Sequence, residues 1–248
     1  MSISRTTAST AHRRATVRTA DGIALAVREY GPRDAESTVV LLHGHCLRAE
    51  SWTYVRDALA RYPGARIVGV GLIATAASGL ADAGFGRLLH NPLISLFQTA
   101  VRVAPALMQR AKLLACRVFA PIVRAAEFGD RKVSPRVLAL ANAMHNQTSI
   151  VTMAAFLSSF VAYDQTDALA VLSRIPTLVV CGAADLMTPP AHSVAIAAAV
   201  DYADLVLIDN AGHSVILEQP VPVAEAIGRL LTRVSGTRTR PRRLSLAA

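Results

Sequence analysis

Alternation between short apolar runs and helical patterns in the last third of the chain constrains the fold most. Residues 177–180 and 205–208 have the apolar, β-branched character of strands, and helical patterns follow them at residues 190–200 and 221–234. Continuously apolar runs are typical of parallel strands that are buried on both faces. The order strand, helix, strand, helix therefore predicts a parallel sheet with right-handed crossovers.

The N-terminal part carries a second set of strand patterns. Residues 17–30 alternate around Asp21-Gly22, which predicts a β-hairpin with a tight turn. Residues 38–42 form a continuous apolar run that predicts another buried parallel strand, and a helical pattern begins near Ser51. Residues 1–15 are polar and rich in Ser, Thr and Arg, so we expect an unstructured tail there.

The middle of the chain predicts helices. A strand-like run covers residues 65–77, and no convincing strand pattern follows it between Asp82 and Asp167. Polar residues interrupt the long uncharged stretch at 137–163. Neither the part before this interruption nor the part after it reaches the roughly 18 apolar residues of a membrane-spanning helix. The sequence predicts four successive helices in this region, at residues 92–108, 110–128, 134–145 and 148–163.

The second of these helices is amphipathic. Arg110, Arg117 and Arg124 recur every seven residues, and apolar residues occupy its other faces. Two interpretations stay open. The helix belongs to a lid whose apolar side covers a hydrophobic pocket or contacts a membrane surface, or it is an ordinary packed helix with one solvated face.

Charge and cysteine usage exclude several classes of protein. The net charge of +9 equals the four Arg of residues 1–18 plus the five Arg of residues 233–248, and neither segment contains an acidic residue. The body is neutral and has no basic face or motif that predicts specific nucleic-acid binding. The three cysteines are far apart, at positions 46, 116 and 181, so neither a disulfide framework nor a zinc site is predicted.

The expected location is the cytoplasm. No apolar segment of a secretory signal follows Arg13 and Arg14, and the cysteine usage is that of a cytosolic protein. If the amphipathic helix belongs to a lid, we also expect contact with a membrane surface. The basic tails, 1–15 and 235–248, are interpreted as solvated, disordered ends.

Three loops resemble those of one known family. The strand at 38–42 runs into His43-Gly44-His45-Cys46, the strand at 177–180 leads to Asp185, and the strand at 205–208 leads to Gly212-His213. Together they resemble the α/β-hydrolase superfamily, in the branch of small esterases, lipases and peroxidase-like hydrolases. The resemblance implies an α/β-hydrolase core, a mostly parallel sheet with helices on both faces, with an inserted helical cap. It divides the folded chain into a core half at residues 16–80, a cap at 81–167 and a second core half at 168–234.

The resemblance also implies roles for individual residues. His213 would be the general base, Asp185 would orient and stabilise its imidazole, and the backbone N–H of His45 or Cys46 would supply half of an oxyanion hole. The implied reaction is hydrolysis of a small hydrophobic ester or acyl substrate through an acyl-enzyme, without metal or organic cofactor. The competing interpretations are a turn or N-cap role for Asp185 and a surface role for His213.

The family's nucleophile is missing from the expected place. No Gly-x-Ser-x-Gly turn lies between the front and rear loops, so central strands of the family core are also expected to be missing. Ser78 follows a strand-like run and precedes Gly79, but it lacks the glycine two positions before it. It is the one serine we retain as a candidate nucleophile. Asp82, which we considered as an alternative nucleophile, also lacks the flanking glycines of such a turn.

Three functions therefore compete. The chain is an active hydrolase with an unrecognised nucleophile, an inactive deletion form of a hydrolase, or a non-catalytic module that binds an acyl ligand. His90, His145 and His192 have no spacing that suggests metal ligands, and we interpret them as packing or surface residues.

Overall fold

The computed structural model describes residues 13–18, 24–29, 69–129 and 133–236. Three predictions lie outside the described residues: the strand at 38–42, the loop at 43–46 with its proposed oxyanion donors His45 and Cys46, and the helix that begins near Ser51. All of the strands and helices named below lie within the described residues.

The first two strands form the predicted hairpin. Strand β1 (Arg13–Arg18) pairs antiparallel with β2 (Ala24–Glu29), with Arg13 opposite Glu29. The predicted turn at Asp21-Gly22 lies outside the described residues. Strand β1 begins four residues earlier than the alternation indicated, within the residues that we expected to form the N-terminal tail.

A parallel three-stranded sheet forms the centre of the described chain. Strands β3 (Val70–Ile73), β4 (Thr177–Gly182) and β5 (Asp204–Ile208) lie in the order β3-β4-β5, and both pairs are parallel. Every residue of β4 is buried. The parallel arrangement confirms the prediction from the strand and helix alternation.

Two apolar clusters cover the opposite faces of this sheet. Leu178 and Val180 belong to the larger cluster, whereas Val179 belongs to the smaller one, since successive side chains of a strand point to opposite faces. The larger cluster packs against the C-terminal helix, and Ile196 and Val200 pack in the smaller one. This two-sided burial explains why β4 reads as a continuous apolar run.

Eight α-helices are present in the described residues, and four of them form the predicted helical segment. The first helix ends at Val103 rather than near residue 108, because Pro105 disfavours helical dihedrals at the residue before it, and Ala104 has φ −135° and ψ 62°. Within the described part of the chain, no helix has both the length and the apolar character needed to cross a membrane. The helices are α1 (Pro92–Val103), α2 (Pro105–Glu127), α3 (Pro135–Gln147), α4 (Ile150–Val161), α5 (Leu169–Leu172), α6 (Pro190–Ala199), α7 (Val215–Glu218) and α8 (Pro220–Gly236).

The two ends of the helical segment meet beyond the carboxyl end of β3. Ser78 forms an isolated antiparallel bridge with Asp164, and the backbone N–H of Gln165 donates to the carbonyl of Ala77 at 2.7 Å. The chain thus leaves the sheet after β3, forms α1 to α4, and returns to the same place before β4. This topology brings the end of α2 to the loop that follows β5, where the N–H of Ser214 donates to the carbonyl of Glu127.

Candidate active site

Asp185 lies in the loop that follows β4. The residue is buried, with 2% of its surface exposed. Its Oδ1 accepts hydrogen bonds from the backbone N–H of Met187 at 2.8 Å and of Thr188 at 2.9 Å. These bonds fix the turn before α6 and hold the side chain in one orientation. Oδ1 therefore has the turn role that we considered for Asp185. Oδ2 takes no part in these backbone hydrogen bonds.

The second oxygen of Asp185 faces His213. Asp185 Oδ2 lies 3.0 Å from His213 Nδ1, so the structure brings together the two residues that the sequence singled out at different strand ends. The hydroxyl of Thr188 donates to the same Oδ2 at 2.8 Å, and its oxygen lies 3.2 Å from Nδ1. The three side chains form one connected polar group.

This network determines where the imidazole proton belongs. The single hydroxyl proton of Thr188 is used on Oδ2, so both groups that face Nδ1 act as acceptors, and Nδ1 carries the proton in the neutral ring. Nε2 then holds the lone pair. The Asp185 side chain is fully buried and that of His213 is 26% exposed, so the carboxylate is shielded while the imidazole reaches solvent. An oriented imidazole of this kind can accept a proton from a bound group.

The turn that carries His213 depends on close backbone packing. A Cβ on Gly212 would lie 2.5 Å from the backbone nitrogen of Gly129 and 2.7 Å from the carbonyl oxygen of Glu127, closer than real side chains come. Asn210, just before the turn, has a φ of +56°, a conformation that Asn adopts more easily than most residues. Glycine at 212 is thus required by the approach of the segment that follows α2.

Glu218 ties these two segments together. Its Oε1 accepts from the N–H of Gly212 at 2.7 Å, and its Oε2 accepts from the N–H of Gly129 at 2.8 Å. The N–H of Ser214 donates to the carbonyl of Glu127 at 2.8 Å. The loop of His213 is therefore held by the end of α2 as well as by the sheet.

The loops after β4 and β5 are also bonded to each other. The N–H of Ala183 donates to the carbonyl of Ile208, and that of Ala184 donates to the carbonyl of Ala211, both at 2.9 Å. These bonds fix the relative position of Asp185 and His213 through the backbone. The pair is preorganised rather than dependent on the side chains alone.

The structure does not bring Ser78 to this pair. Its hydroxyl accepts a hydrogen bond from the hydroxyl of Thr166 at 3.1 Å, at the place where the helical segment rejoins the sheet. No serine hydroxyl in the described residues is hydrogen-bonded to His213. Asp82, which the sequence already disfavoured as a nucleophile, lies 3.5 Å from His90 at an exposed position.

A cavity of about 690 Å³ adjoins the Asp185 loop. Ala184 and Leu186, the two neighbours of Asp185, line it together with Phe128 and Leu138 from the helical segment. Most of the other lining residues come from α2. The volume lies in the range that binds small organic molecules, and an apolar wall with few polar groups is typical of such sites.

A second acid and imidazole pair, which we did not predict from the sequence, lies at the cavity wall. His145 Nε2 lies 2.6 Å from Glu127 Oε1, and Glu127 lines the cavity. We interpreted His145 as a packing or surface residue, and the structure shows it at ion-pair distance from a buried carboxylate. No sequence signal identifies this contact, because the two residues lie on different helices.

Thr188 was not among the residues predicted for the site. Its hydroxyl nevertheless completes the group around Asp185 Oδ2. Its spacing of three residues from Asp185, in a turn before a proline-rich helix start, is the one signal that could have indicated the contact.

Cys181 is buried next to the site and is not a reactive thiolate. Burial raises its pKa from 9.0 to about 11, the negative charge of Asp185 adds to the rise, and a hydrogen bond with Ser193 opposes it. The thiol therefore stays protonated near neutral pH. Within the described ranges, no group of three or more His, Cys, Asp or Glu side chains could hold a metal ion.

Comparison with known families identifies the fold. Residues 58–226 match the model of the family described as the alpha/beta hydrolase family. The match spans more than half of the chain, so the chain belongs to the α/β-hydrolase family. This result confirms the fold that the loops at Asp185 and His213 predicted.

Solved structures with the same fold include proteins with several different named activities. An enol-lactonase from Burkholderia xenovorans LB400 is 22% identical, with a TM-score of 0.52 over 75% of this chain and 64% of that chain. A bromoperoxidase from Bacillus anthracis is 17% identical, with a TM-score of 0.51 over 72% and 62%. A loop variant of a haloalkane dehalogenase from Bradyrhizobium elkanii is 14% identical, with a TM-score of 0.61 over 92% and 99%.

These likenesses show the fold and no more, since all three identities are low. The chain spans less than two thirds of the length of the enol-lactonase and of the bromoperoxidase. No curated protein matches the sequence significantly.

Proposed function

We propose that this chain hydrolyses the ester or a similar acyl bond of a small hydrophobic substrate, with Asp185 and His213 as its acid and base. The observation that carries the proposal is the 3.0 Å contact between Asp185 Oδ2 and His213 Nδ1 beside the cavity. Membership of the α/β-hydrolase family supports it. The pair has the polarity of a general base whose outer nitrogen is available to substrate.

In the proposed reaction, His213 Nε2 accepts the proton of the attacking hydroxyl while that oxygen forms a bond to the substrate carbonyl carbon. The buried charge of Asp185 stabilises the imidazolium, which then returns the proton to the departing alkoxide as the C–O bond breaks. Water hydrolyses the acyl-enzyme by the same steps in the second half of the reaction. We propose the backbone N–H of His45 or Cys46 as a donor to the oxyanion.

Ser78 is the first serine to test as the nucleophile. It follows β3 at the same edge of the sheet as the loops of Asp185 and His213, because the strands are parallel. Its hydroxyl is hydrogen-bonded to Thr166, so attack by Ser78 requires that bond to break and the serine to approach His213.

The cavity supports a hydrophobic substrate. Phe128, Leu138 and Leu186 offer apolar surface close to Asp185, and an acyl chain of moderate length fits a volume of about 690 Å³. We propose that residues 81–167 act as the cap over this site. The same residues would then select the acyl group.

Acyl binding without turnover is the second candidate function. It is favoured by one observation: the cavity exists, but no serine hydroxyl of the described residues is hydrogen-bonded to His213. A chain of this kind would keep a family pocket for an acyl ligand and lack the reaction. A deletion form with neither binding nor turnover is the third outcome.

A series of p-nitrophenyl esters of increasing acyl length tests the proposal. We expect turnover by the wild type, a loss of kcat/KM of at least about a hundredfold in His213→Ala, and a smaller loss in Asp185→Asn. The control is His90→Ala, which changes an exposed histidine outside the site and should leave turnover unchanged. Circular dichroism establishes that each variant is folded.

Each function gives a different result. Turnover that His213→Ala does not change would contradict the proposed base. Saturable binding of a fatty acid without turnover would assign the chain to acyl binding. Neither binding nor turnover, together with a broad thermal transition, would identify an inactive form.

A further inference from the structure

Helices α1 and α2 present a long apolar surface to solvent. We define the cap face as six residues whose exposure runs from 64% to 82%: Leu93, Leu96, Val103, Leu107, Leu114 and Val118. In each helix these residues follow the spacing of three, four or seven that places side chains on one face. Single exposed apolar residues are ordinary, but three at helical spacing on each of two successive helices are more than scattered residues, and such concentrations mark interaction sites.

The cap face lies opposite the packed sides of both helices. In α1, Val101 is buried in a cluster with Ile150 and Ala154 of α4. In α2, Met108 packs against this cluster, and Lys112 Nζ donates to the carbonyl of His145 at 2.6 Å. The inner sides therefore hold the helical segment together, and the cap face takes no part in that packing.

The charges on this segment have one sign. Residues 83–126 contain six Arg or Lys and no Asp or Glu. Lys112 is directed inward, whereas Arg102, Arg110 and Arg124 are exposed on the same two helices as the cap face. Arg110 and Arg124 belong to the seven-residue repeat with Arg117, which follows one flank of the apolar stripe of α2.

We propose that the cap face docks on the surface of an anionic lipid bilayer. The apolar residues would enter the boundary between headgroups and acyl chains, while the flanking arginines contact phosphate groups. The one carboxylate of this helix pair, that of Glu127, is buried, so the exposed charges are basic. Anionic headgroups complement these charges, and the acyl chains complement the apolar residues. Such docking goes beyond the proposed hydrolysis and does not depend on it.

A second copy of the chain fits the cap face less well. In a twofold dimer the same patch would face itself, so the arginines of one copy would lie near those of the other, without an acidic residue from either segment. Like charges brought together across an interface oppose association. The bilayer gives these arginines the opposite charge instead.

Flotation of the full-length chain with lipid vesicles tests the proposal. One set is phosphatidylcholine alone, and the other is equal parts phosphatidylcholine and phosphatidylglycerol. We expect binding to the anionic set that weakens at high salt. Leu114→Gln with Val118→Gln should weaken it on the order of tenfold, as should Arg102→Gln with Arg110→Gln.

The control is Val194→Gln with Val221→Gln, which changes two valines of equal exposure, 47%, on helices α6 and α8. It should bind vesicles like the wild type. Thermal melts confirm that the variants are folded, and light scattering gives their oligomeric state. Absence of binding, equal binding to both vesicle sets, or equal losses in the control would overturn the proposal. So would a dimer that Leu114→Gln with Val118→Gln dissociates without any change in vesicle binding.

Discussion

Asp185 performs two functions with one carboxylate. One oxygen accepts hydrogen bonds from two backbone N–H groups and so stabilises the turn. The other oxygen accepts a hydrogen bond from the hydroxyl of Thr188 and faces the imidazole of His213. A carboxylate with this many donors remains fixed when the ring changes its charge. Orientation of His213 thus depends on residues that form the turn, not on Asp185 alone.

Replacement of Thr188 tests this dependence. Thr188→Val keeps the shape of the side chain but removes the hydroxyl that donates to Asp185 Oδ2. We expect the free energy of unfolding to fall by about 1–3 kcal/mol, because a buried carboxylate loses a donor. Urea unfolding measures the change, and Thr188→Ser should recover most of it. Equal stability of the Val variant and the wild type would show that the hydroxyl does not support the carboxylate.

Cys181 gives a second prediction at this scale. Burial raises the pKa of its thiol from 9.0 to about 11, so the folded state holds this proton more tightly than the unfolded state. The resulting stabilisation is complete below pH 9 and is lost as the pH rises to about 11. Between these values the wild type should lose more stability than Cys181→Ala, measured by denaturant unfolding at each pH. Parallel pH curves for the two proteins would contradict the assignment.

Only part of the site can be predicted from the sequence. Asp185 and His213 were singled out because each lies in a loop after an apolar strand pattern, and because these loops resemble those of the α/β-hydrolase superfamily. Parallel strands bring their carboxyl ends to one edge. The contact of Glu127 with His145 depends on how α2 and α3 pack, which no local pattern specifies. The partner of Ser78 depends likewise on the return of the chain after α4.

At the scale of elements, the site is held where α2, the β5 loop and α7 meet. Glu218, the last residue of α7, accepts from the backbone of Gly212 and of Gly129 and so joins the turn of His213 to the end of the helical segment. Movement of α2 would therefore be transmitted to the catalytic histidine proposed here. The end of α2 and the turn of His213 form one hydrogen-bonded unit.

Removal of this carboxylate tests the connection. Glu218→Ala leaves two buried N–H groups without their acceptor, and we expect a loss of roughly 2–4 kcal/mol in the free energy of unfolding. The matched control is Glu225→Ala, an exposed glutamate on the neighbouring helix α8, which should change stability little. Similar losses in the two variants would indicate that Glu218 does not hold the turn.

The elements themselves were largely predictable. Strand β4 and helix α6 begin where apolar runs and prolines indicated, and the four helices of the middle segment were expected. The boundary between α1 and α2 was wrong because apolar periodicity continues across Pro105 while the backbone cannot. Periodicity reports the buried face, and the proline decides where the helix ends.

At the scale of the whole molecule, the parallel sheet carries apolar clusters on both faces, and β4 lies between them. The absence of an elbow sequence still predicts that central strands of the family core are missing, and the chain spans less than two thirds of the enol-lactonase it resembles in fold. The division into core halves at 16–80 and 168–234 around a cap at 81–167 stays a proposal.

The extent of the core leads to a prediction for unfolding. Because buried side chains cover both faces of β4, we expect one cooperative thermal transition. Calorimetry measures its sharpness. A broad transition without a cooperative heat-absorption peak would instead support the deletion form.

The central claim is that Asp185 and His213 activate a nucleophile in this chain. Labelling with a fluorophosphonate probe, followed by mass spectrometry to locate the adduct, tests it most directly. We predict an adduct on one hydroxyl, with Ser78 as the first candidate, that disappears in His213→Ala while His90→Ala keeps it. A folded wild type that forms no adduct, or an adduct that persists in His213→Ala, would contradict the claim.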